Sequence, residues 1–154
     1  MAVVGAGDAS PEVAGRAEEV GRALGEAGAV LVCGGHGGVM EAACRGARSA
    51  GGLTVGILPG LDRSAANAFV DVALPTGMGE LRNGLVVRAA DAVIAVGGEF
   101  GTLAEVALAL KQGIPVVGLG TWELARDGVA DESIERVDDA RAAVQRALVL
   151  AAGG

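Results

Sequence analysis

The sequence predicts an α/β fold: a single Rossmann-like, doubly wound domain with a mainly parallel sheet flanked by helices. Short apolar runs alternate with stretches of helical periodicity, as βαβ crossovers do. The runs are apolar on consecutive residues, which is typical of strands covered on both faces. The 154 residues suit one domain spanning 1–154, because no repeat or linker divides them.

The first predicted helix, residues 10–28, has well-marked ends. Ser10 suits the N-cap position, and Pro11 suits the first helical residue, where its missing N–H costs nothing. Gly28 follows the last turn, where glycine commonly ends a helix. Apolar residues recur between these ends at helical spacing, so we expect one apolar face against the sheet.

The rest of the chain continues the alternation. We predict strands at 1–5, 29–35, 53–60, 69–75, 91–98, 114–120 and 134–137, and a polar loop at 61–68. We predict further helices at 38–51, 78–90, 102–112 and, capped by Asp138 or Asp139, in the C-terminal tail.

Composition restricts the classes of partner. The net charge of −7 argues against nonspecific nucleic-acid binding, which needs a basic face. A small anion stays compatible with that charge, because backbone amides can bind phosphate. The apolar runs are too short and interrupted to span a membrane. Cys33 and Cys44 lack zinc-type spacing, so we expect free thiols, no metal and a cytoplasmic protein.

Two glycine-rich segments fall where a strand passes into a helix. The first glycine turn, in "CGGHGGVME", contains Gly34, Gly35, Gly37 and Gly38. The second glycine turn, in "VGGEFGTLAE", contains Gly97, Gly98 and Gly101, followed by Thr102. Glycine permits close approach of a ligand, and the free N–H groups of a helix N-terminus favour phosphate. The alternative is that these glycines only make short turns; two such turns favour phosphate binding.

Two better-known nucleotide motifs fit poorly. Neither glycine turn has the G-x-x-x-x-G-K-[ST] pattern of a P-loop NTPase. The G-x-G at Gly5–Gly7 lacks a third glycine at the required place and a clear acidic residue downstream for a ribose. A dinucleotide site is therefore only weakly supported.

A longer stretch carries a more specific signal. "TGMGELRNGLVVRAADAVIAVGGEFGTLAEVALALKQGIPVVGLG", with "GGHGGVMEAACRGA" before it, resembles the LOG-like superfamily, many of whose members were once labelled "possible lysine decarboxylase". Within it, the chain is most similar to the molybdenum cofactor carrier protein-like branch. The resemblance covers roughly residues 1–120. It implies a Rossmann-like fold and a homodimer or homotetramer.

The LOG branch hydrolyses the N-glycosidic bond of cytokinin riboside 5′-monophosphates and carries the motif P-G-G-x-G-T-x-x-E. The resemblance places Gly101, Thr102 and Glu105 on its G-T-x-x-E portion and Arg82 on its catalytic arginine. The chain departs from the motif in three residues. Gly97 replaces the proline, Glu99 a glycine, and Asn83 the lysine after the arginine. The "GGExGT" form is similar to the carrier-like branch, which weakens the case for cytokinin-nucleotide hydrolysis.

Each candidate side chain has a structural alternative. Arg82 is interpreted as a phosphate or ribose clamp, or as a surface ion pair with Glu80 or Glu99. Glu105 is interpreted as the catalytic acid, or as a solvated acid near a helix N-terminus. Thr102 binds phosphate or caps the helix.

Asn83 is interpreted equally well as a ligand contact and as the cap of a turn, and His36 equally well as a ligand contact and as an ordinary loop histidine. Glu99 is awkward beside an anion unless it faces ribose, base or Arg82.

The functional hypothesis is a protein that binds a nucleotide-like or pterin-phosphate ligand at the glycine turns, with no resident cofactor. Arg82 and Glu105 would hydrolyse a nucleoside 5′-monophosphate if the protein is an enzyme. The alternative is a non-catalytic carrier or sensor of a phosphorylated ligand such as molybdenum cofactor.

Overall fold

The computed structural model describes residues 1–153, and a seven-stranded parallel sheet is its central layer. The strands are β1 (Ala2–Gly5), β2 (Leu31–Cys33), β3 (Thr54–Leu58), β4 (Val72–Pro75), β5 (Val93–Val96), β6 (Val116–Leu119), β7 (Leu124–Arg126), β8 (Val129–Asp131) and β9 (Ile134–Val137). The helices are α1 (Pro11–Glu26), α2 (Val39–Ser49), α3 (Asn83–Arg88), α4 (Phe100–Lys111) and α5 (Ala140–Ala152).

The strand order reverses beside β1. The sheet reads β4-β3-β2-β1-β5-β6-β9, so the chain builds outward from β1 to β4 and then returns to build the other half from β5. All six neighbouring pairs are parallel. This arrangement confirms the predicted Rossmann-like α/β class, and it puts the reversal between β1 and β5, where such sheets bind ligands.

Helices cover both faces of the sheet. On one face, α1, α2 and α5 bury small aliphatic side chains against the strands. On the other face, α3 and α4 do the same, and Leu124 of the β7–β8 hairpin packs at the edge of that cluster. The buried residues are almost all Ala, Val, Leu and Ile, as the low aromatic content predicts. Within residues 1–153, no helix is long and apolar enough to cross a membrane.

Helices α1 and α2 approach each other through glycines. A Cβ on Gly21 would lie 1.9 Å from the Ala43 carbonyl oxygen, and one on Gly46 would lie 2.0 Å from that of Glu18. Both values are far inside van der Waals contact, so each glycine admits the backbone of the opposite helix. These two positions explain part of the high glycine content through packing alone.

Helix ends follow the predicted residues where a polar cap is present. The Ser10 hydroxyl accepts a hydrogen bond from Val13 N at 3.3 Å, with Pro11 as the first residue of α1. Gly28 has φ +70° just beyond the end of α1, as predicted. Asp139, and not Asp138, caps α5 by accepting from Ala142 N at 2.8 Å.

Two sequence predictions of secondary structure are wrong, and one element was not predicted. The helix predicted at 78–90 is a 3₁₀ turn, Gly79–Arg82, followed by the short α3, because Gly77 and Gly79 take positive φ values at its start. Helix α4 begins at Phe100 and not at Thr102, with the extended Glu99 before it. The β7–β8 hairpin replaces a crossover helix between β6 and β9, and the sequence analysis did not predict it.

We expect Gly46→Ala to lower the free energy of unfolding by about 1–3 kcal/mol, because the added methyl group overpacks the α1–α2 contact. Gly15→Ala is the matched control. Gly15 lies on the exposed side of α1 with nothing within 4 Å of its Cβ position, so alanine should stabilise the protein by up to about 1 kcal/mol. Urea denaturation measures the free energy of unfolding of both variants. Equal changes in the two variants would contradict the tight contact between α1 and α2.

Candidate functional site

A pocket of about 300 Å³ opens at the carboxyl ends of β1, β2 and β5, beside the reversal of strand order. Gly5 pairs with Val96 in the sheet register, so the segments that follow β1 and β5 leave the sheet at the same level. The pocket is lined by Gly5, Ala6, Gly7, His36, Met40, Pro59, Glu80, Arg82, Asn83, Glu99, Gly101, Thr102 and Glu105.

The first glycine turn lies beside the pocket and packs against Arg82. A Cβ on Gly34 would lie 2.4 Å from Nη1 of Arg82, so the absence of a side chain lets the guanidinium lie against the turn. Gly35 and Gly38 have φ of +75° and +61°, and a Cβ on Gly38 would meet the Ala6 carbonyl oxygen at 2.3 Å. Gly37 has more space around it. Only His36 of this turn lines the pocket.

Arg82 is the one arginine that lines the pocket, and it is 8% exposed. The 3₁₀ turn before α3 brings it inward, so the surface ion pair considered in the sequence analysis is wrong. Its Nη1 lies 3.8 Å from Oε1 of Glu105, which is an ion pair but too long for a hydrogen bond. Burial lowers the pKa of the Arg82 guanidinium, and the Glu105 charge opposes that effect.

Glu105 lies on α4 with only 7% exposure. Burial disfavours the ionised carboxylate and raises its pKa to about 7, although the Arg82 charge acts in the opposite direction. The solvated-acid alternative is therefore wrong. Near neutral pH the carboxyl group occupies both protonation states, so it can donate or accept a hydrogen bond.

Two buried polar atoms at this site have no hydrogen-bond partner among the described residues. They are Nε of Arg82 and Oγ1 of Thr102, whose residue is 2% exposed. Burying an unpaired polar group costs free energy, so native proteins rarely leave such groups without a partner. Both residues line the same pocket, and a polar ligand there would supply the missing acceptor.

The N-terminus of α4 adds backbone donors to this set. The helix has no side-chain cap, and its first intrahelical bond runs from Leu103 N to the Glu99 carbonyl. The N–H groups of its first three residues, Phe100, Gly101 and Thr102, have no intrahelical acceptor. Thr102 is the third helical residue, so the capping role considered for it is wrong. Free N–H groups at the positive end of the helix dipole favour an anion.

Carboxylates also surround the pocket, so net charge alone does not attract an anion. Glu80 and Glu99 line it together with Glu105, against the single arginine. The pKa of His36 is lowered by burial and by the Arg82 charge, which favours the neutral ring. An anion would therefore rely on directed hydrogen bonds from Arg82, Thr102 and the α4 backbone.

The structure gathers most of the predicted site. Arg82, Asn83, Glu99, Gly101, Thr102 and Glu105 share the pocket. Gly97 and Gly98 have φ of +56° and +124° and form the turn behind it, where a Cβ on Gly98 would overlap Thr102 at 2.6 Å. Arg88 points elsewhere and donates to Gln112 at 3.2 Å.

Several lining residues were missed by sequence reasoning: Gly5, Ala6, Gly7, Met40, Pro59 and Glu80. The G-x-G after β1 was a visible signal for the first three, but it was tested only against the dinucleotide motif. Gly5 is needed for packing, because a Cβ there would lie 2.5 Å from Val39. Nothing in the sequence indicates that Pro59 would reach the pocket from the end of β3.

The two cysteines lie below the site as buried free thiols. Their Sγ atoms are 3.5 Å apart and share a hydrogen bond, as expected for reduced cysteines. A separate cavity of about 730 Å³ lies between the β7–β8 hairpin and β9. It contains none of the predicted site residues, so the pocket at the strand reversal remains the candidate site.

Solved structures similar to this chain include molybdenum cofactor carriers. The molybdenum cofactor binding protein of Rippkaea orientalis superposes with a TM-score of 0.87 at 34% identity, covering 97% of this chain and 94% of that one. The Moco carrier protein of Chlamydomonas reinhardtii gives 0.86 at 33% identity, covering 99% and 97%. An uncharacterized protein of Archaeoglobus fulgidus is 46% identical over 119 residues, which are 77% of this chain and 78% of that protein.

These similarities confirm the resemblance to the LOG-like superfamily and to its molybdenum cofactor carrier-like branch. The sequence profile of the SLOG cluster4 family matches residues 1–148, nearly the whole chain. The chain therefore belongs to the SLOG cluster4 family.

Proposed function

We propose that the protein is a non-catalytic carrier of a small phosphorylated pterin-type ligand such as molybdenum cofactor. The observation that carries this proposal is the pair of buried, unpartnered donors, Arg82 Nε and Thr102 Oγ1, beside the uncapped start of α4. The several oxygens of a phosphate group would accept hydrogen bonds from these two donors and from the free backbone N–H groups. The names of two similar structures, each a molybdenum cofactor binder or carrier, support the choice of ligand class.

The site suits holding a ligand and releasing it. Arg82 is the single positive side chain lining the pocket, and three carboxyl groups surround it. Glu99 and Glu80 would face the uncharged ring or sugar part of the ligand, where they can accept hydrogen bonds from amino or hydroxyl groups. A carrier needs affinity high enough to retain its cargo and low enough to deliver it, and this limited positive charge agrees with that need.

A second candidate is a phosphoribohydrolase of the LOG type. It is favoured by Glu105, whose pKa of about 7 suits proton transfer at neutral pH and whose carboxyl group lies beside Arg82. In that reaction water would attack the anomeric carbon while its proton passes to the ionised Glu105 carboxylate. The C–N bond would break with its electron pair on the base, which then takes up that proton. Gly97, Glu99 and Asn83 depart from the LOG motif, so we rank this candidate second.

Oligomerisation is proposed from one apolar surface, which we call the α3–α4 face. It consists of exposed or half-exposed apolar residues on α4, on α3 and in the 3₁₀ turn before α3: Leu81, Leu85, Phe100, Leu103, Ala104 and Ala107. Exposed apolar residues on neighbouring elements commonly mark an interface. We propose that a second copy of the chain covers it, giving a homodimer or a homotetramer.

The first test measures binding of ribose 5-phosphate and guanosine 5′-monophosphate by calorimetry. We expect Arg82→Gln to weaken the binding of both ligands about tenfold or more, because a charged donor to the phosphate is lost. Thr102→Val should weaken both about twofold to tenfold without lowering thermal stability, since the hydroxyl has no partner among residues 1–153. Arg88→Gln is the matched control and should bind like the wild type.

The same incubations separate the carrier from the hydrolase. A carrier binds guanosine 5′-monophosphate and returns it intact. Release of free guanine by the wild type, abolished in Glu105→Gln, would contradict the carrier and support the second candidate. Undiminished phosphate binding by both Arg82→Gln and Thr102→Val would contradict the proposed site itself.

The raised pKa of Glu105 predicts that the free energy of unfolding depends on pH. Its pKa is raised from 4.5 to about 7 in the folded protein, so the folded state holds this proton more tightly than the unfolded state does. Its contribution, about 3 kcal/mol, is fully present below pH 4.5 and is lost as the pH rises through about 7. We expect Glu105→Gln to flatten the decline in unfolding free energy between pH 5 and pH 8.

Urea denaturation across that pH range gives the comparison. The difference between wild type and Glu105→Gln isolates this carboxyl group, because the other titrating groups are common to both. Glu19→Gln, on the exposed side of α1, is the control and should keep the wild-type slope. Parallel curves for wild type and Glu105→Gln would rule out the raised pKa.

Sedimentation velocity at micromolar concentration tests the α3–α4 face. We expect the wild type to sediment as a dimer or tetramer. Ala107→Glu places a charge at the middle of that face and should shift the protein towards monomer, because an unpaired charge is costly to bury. Val149→Glu, on the exposed side of α5, should not. A monomeric wild type would refute the proposal.

A further inference from the structure

A second recess lies on the other side of the second glycine turn. We call it the Trp122 recess; it measures about 320 Å³ and is lined by Gly97, Gly98, Gly120, Thr121 and Trp122. Its position follows from the sheet. Strands β5 and β6 are neighbours with Val96 opposite Leu119, so the segments after both strands emerge together at the carboxyl edge. The turn from Gly97 to Glu99 thus contributes to both the candidate site and the recess.

Hydrogen bonds fix Trp122 to that turn. The Trp122 indole N–H donates to the Glu99 carbonyl at 3.3 Å, and the Thr121 hydroxyl donates to the Gly97 carbonyl. The rings of Trp122 and Phe100 pack with centroids 5.5 Å apart at an angle of 41°. The indole is therefore held in one orientation by the segment that begins α4 and borders the phosphate donors.

The chain has only three aromatic residues, and two of them contact each other. It has two phenylalanines, one tryptophan and no tyrosine. Phe69 is half-buried against the core and carries Arg45 at 5.7 Å from its ring. The other two aromatics pack against each other beside the second glycine turn; Trp122 is half-buried, and Phe100 is exposed and also belongs to the α3–α4 face.

Backbone forms the floor of the Trp122 recess. Gly97, Gly98 and Gly120 all have positive φ values, of +56°, +124° and +61°. Three of the five lining residues therefore carry no side chain, which leaves flat peptide groups next to one indole. Such a surface accepts a planar ring, whose face can stack on the indole while its edge meets backbone groups.

We propose that the Trp122 recess binds the planar heteroaromatic ring of the ligand, with Trp122 stacked on it, while the phosphate occupies the site beside Arg82. This inference rests on the proposed function and adds the subsite that recognises the ring. The recess is shallow and open on one side, so it would hold a ring against the indole without enclosing it. The two subsites share one turn of backbone, Gly97 to Glu99, so one ring-bearing phosphate ester is the ligand class proposed for both.

The single tryptophan makes the test direct, because intrinsic fluorescence reports on Trp122 alone. The probes are guanosine 5′-monophosphate, guanosine and ribose 5-phosphate; the six-membered ring of guanine carries the amino and oxo groups of a pterin. We expect guanosine 5′-monophosphate to quench the emission and ribose 5-phosphate to bind without quenching. Equal quenching by both phosphates, or binding of guanosine 5′-monophosphate with unchanged emission, would overturn the subsite.

Substitutions measured by calorimetry give an independent result. Trp122→Leu should weaken the binding of guanosine 5′-monophosphate roughly fivefold to a hundredfold, the range for loss of one base-stacking contact. The affinity for ribose 5-phosphate should stay unchanged. Trp122→Phe should retain most of the affinity. Val129→Ala, on the β7–β8 hairpin that follows Trp122 and outside the recess, is the control. A melting curve for each variant establishes that it folds; unchanged nucleotide affinity in Trp122→Leu would contradict the proposal.

Failure of the subsite and failure of the carrier proposal are distinguishable. If guanosine quenches Trp122 while ribose 5-phosphate does not bind, the recess stands and the phosphate site is wrong. If ribose 5-phosphate binds through Arg82 while Trp122→Leu changes nothing, the phosphate site stands and the recess is wrong. A wild type that binds none of the probes overturns both.

Discussion

The pairing of β1 with β5 is the constraint on which the rest of the molecule depends. These strands belong to different halves of the sheet, and their full parallel register brings Gly5 opposite Val96. The segments after β1 and β5 therefore leave the sheet together, and both line the candidate site. A shift by one residue would turn the side chains of β5 from one face of the sheet to the other.

The candidate site contains two buried charged side chains. Arg82 and Glu105 are charged side chains in surroundings that disfavour charge, and neither has a full set of hydrogen bonds among the described residues. The fold tolerates this because small aliphatic layers on both faces of the sheet supply ample hydrophobic stabilisation. A site that leaves donors without acceptors is poised for a partner that supplies them, so the same feature that weakens the isolated protein strengthens binding.

The sequence predicted the fold class well, because alternating strand and helix patterns are local signals that the tertiary structure here does not override. Helix ends were read correctly where a polar cap existed, as at Ser10, and incorrectly where none did, as at Phe100. The 3₁₀ turn Gly79–Arg82 depends on positive φ at Gly77 and Gly79, whereas Glu80, Leu81 and Arg82 within it are good α-helix formers, so the sequence favours an α-helix there. The hairpin after β6 was missed because its strands are only three residues long.

The candidate site, like the fold, could be predicted from the sequence only in part. Residues within the glycine turns and the resemblance motif could be named, since their spacing is local. The contributions of Pro59 and Ala6 arise only when separate strand ends meet. The protonation of Glu105 likewise could not be predicted from its position near a helix start; only its depth and its distance from Arg82 determine it.

The β7–β8 hairpin has a consequence for how this chain can vary. It occupies the position of a crossover helix, yet it forms a two-stranded ribbon of its own and adds no strand to the main sheet. Its tip, Asp127 and Gly128, has positive φ at both residues and is solvent-exposed. Lengthening the chain there leaves every strand pairing of the sheet intact. The hairpin tip, which lines neither the candidate site nor the Trp122 recess, is thus a position that can accept an insertion, whether in evolution or for attaching a reporter group.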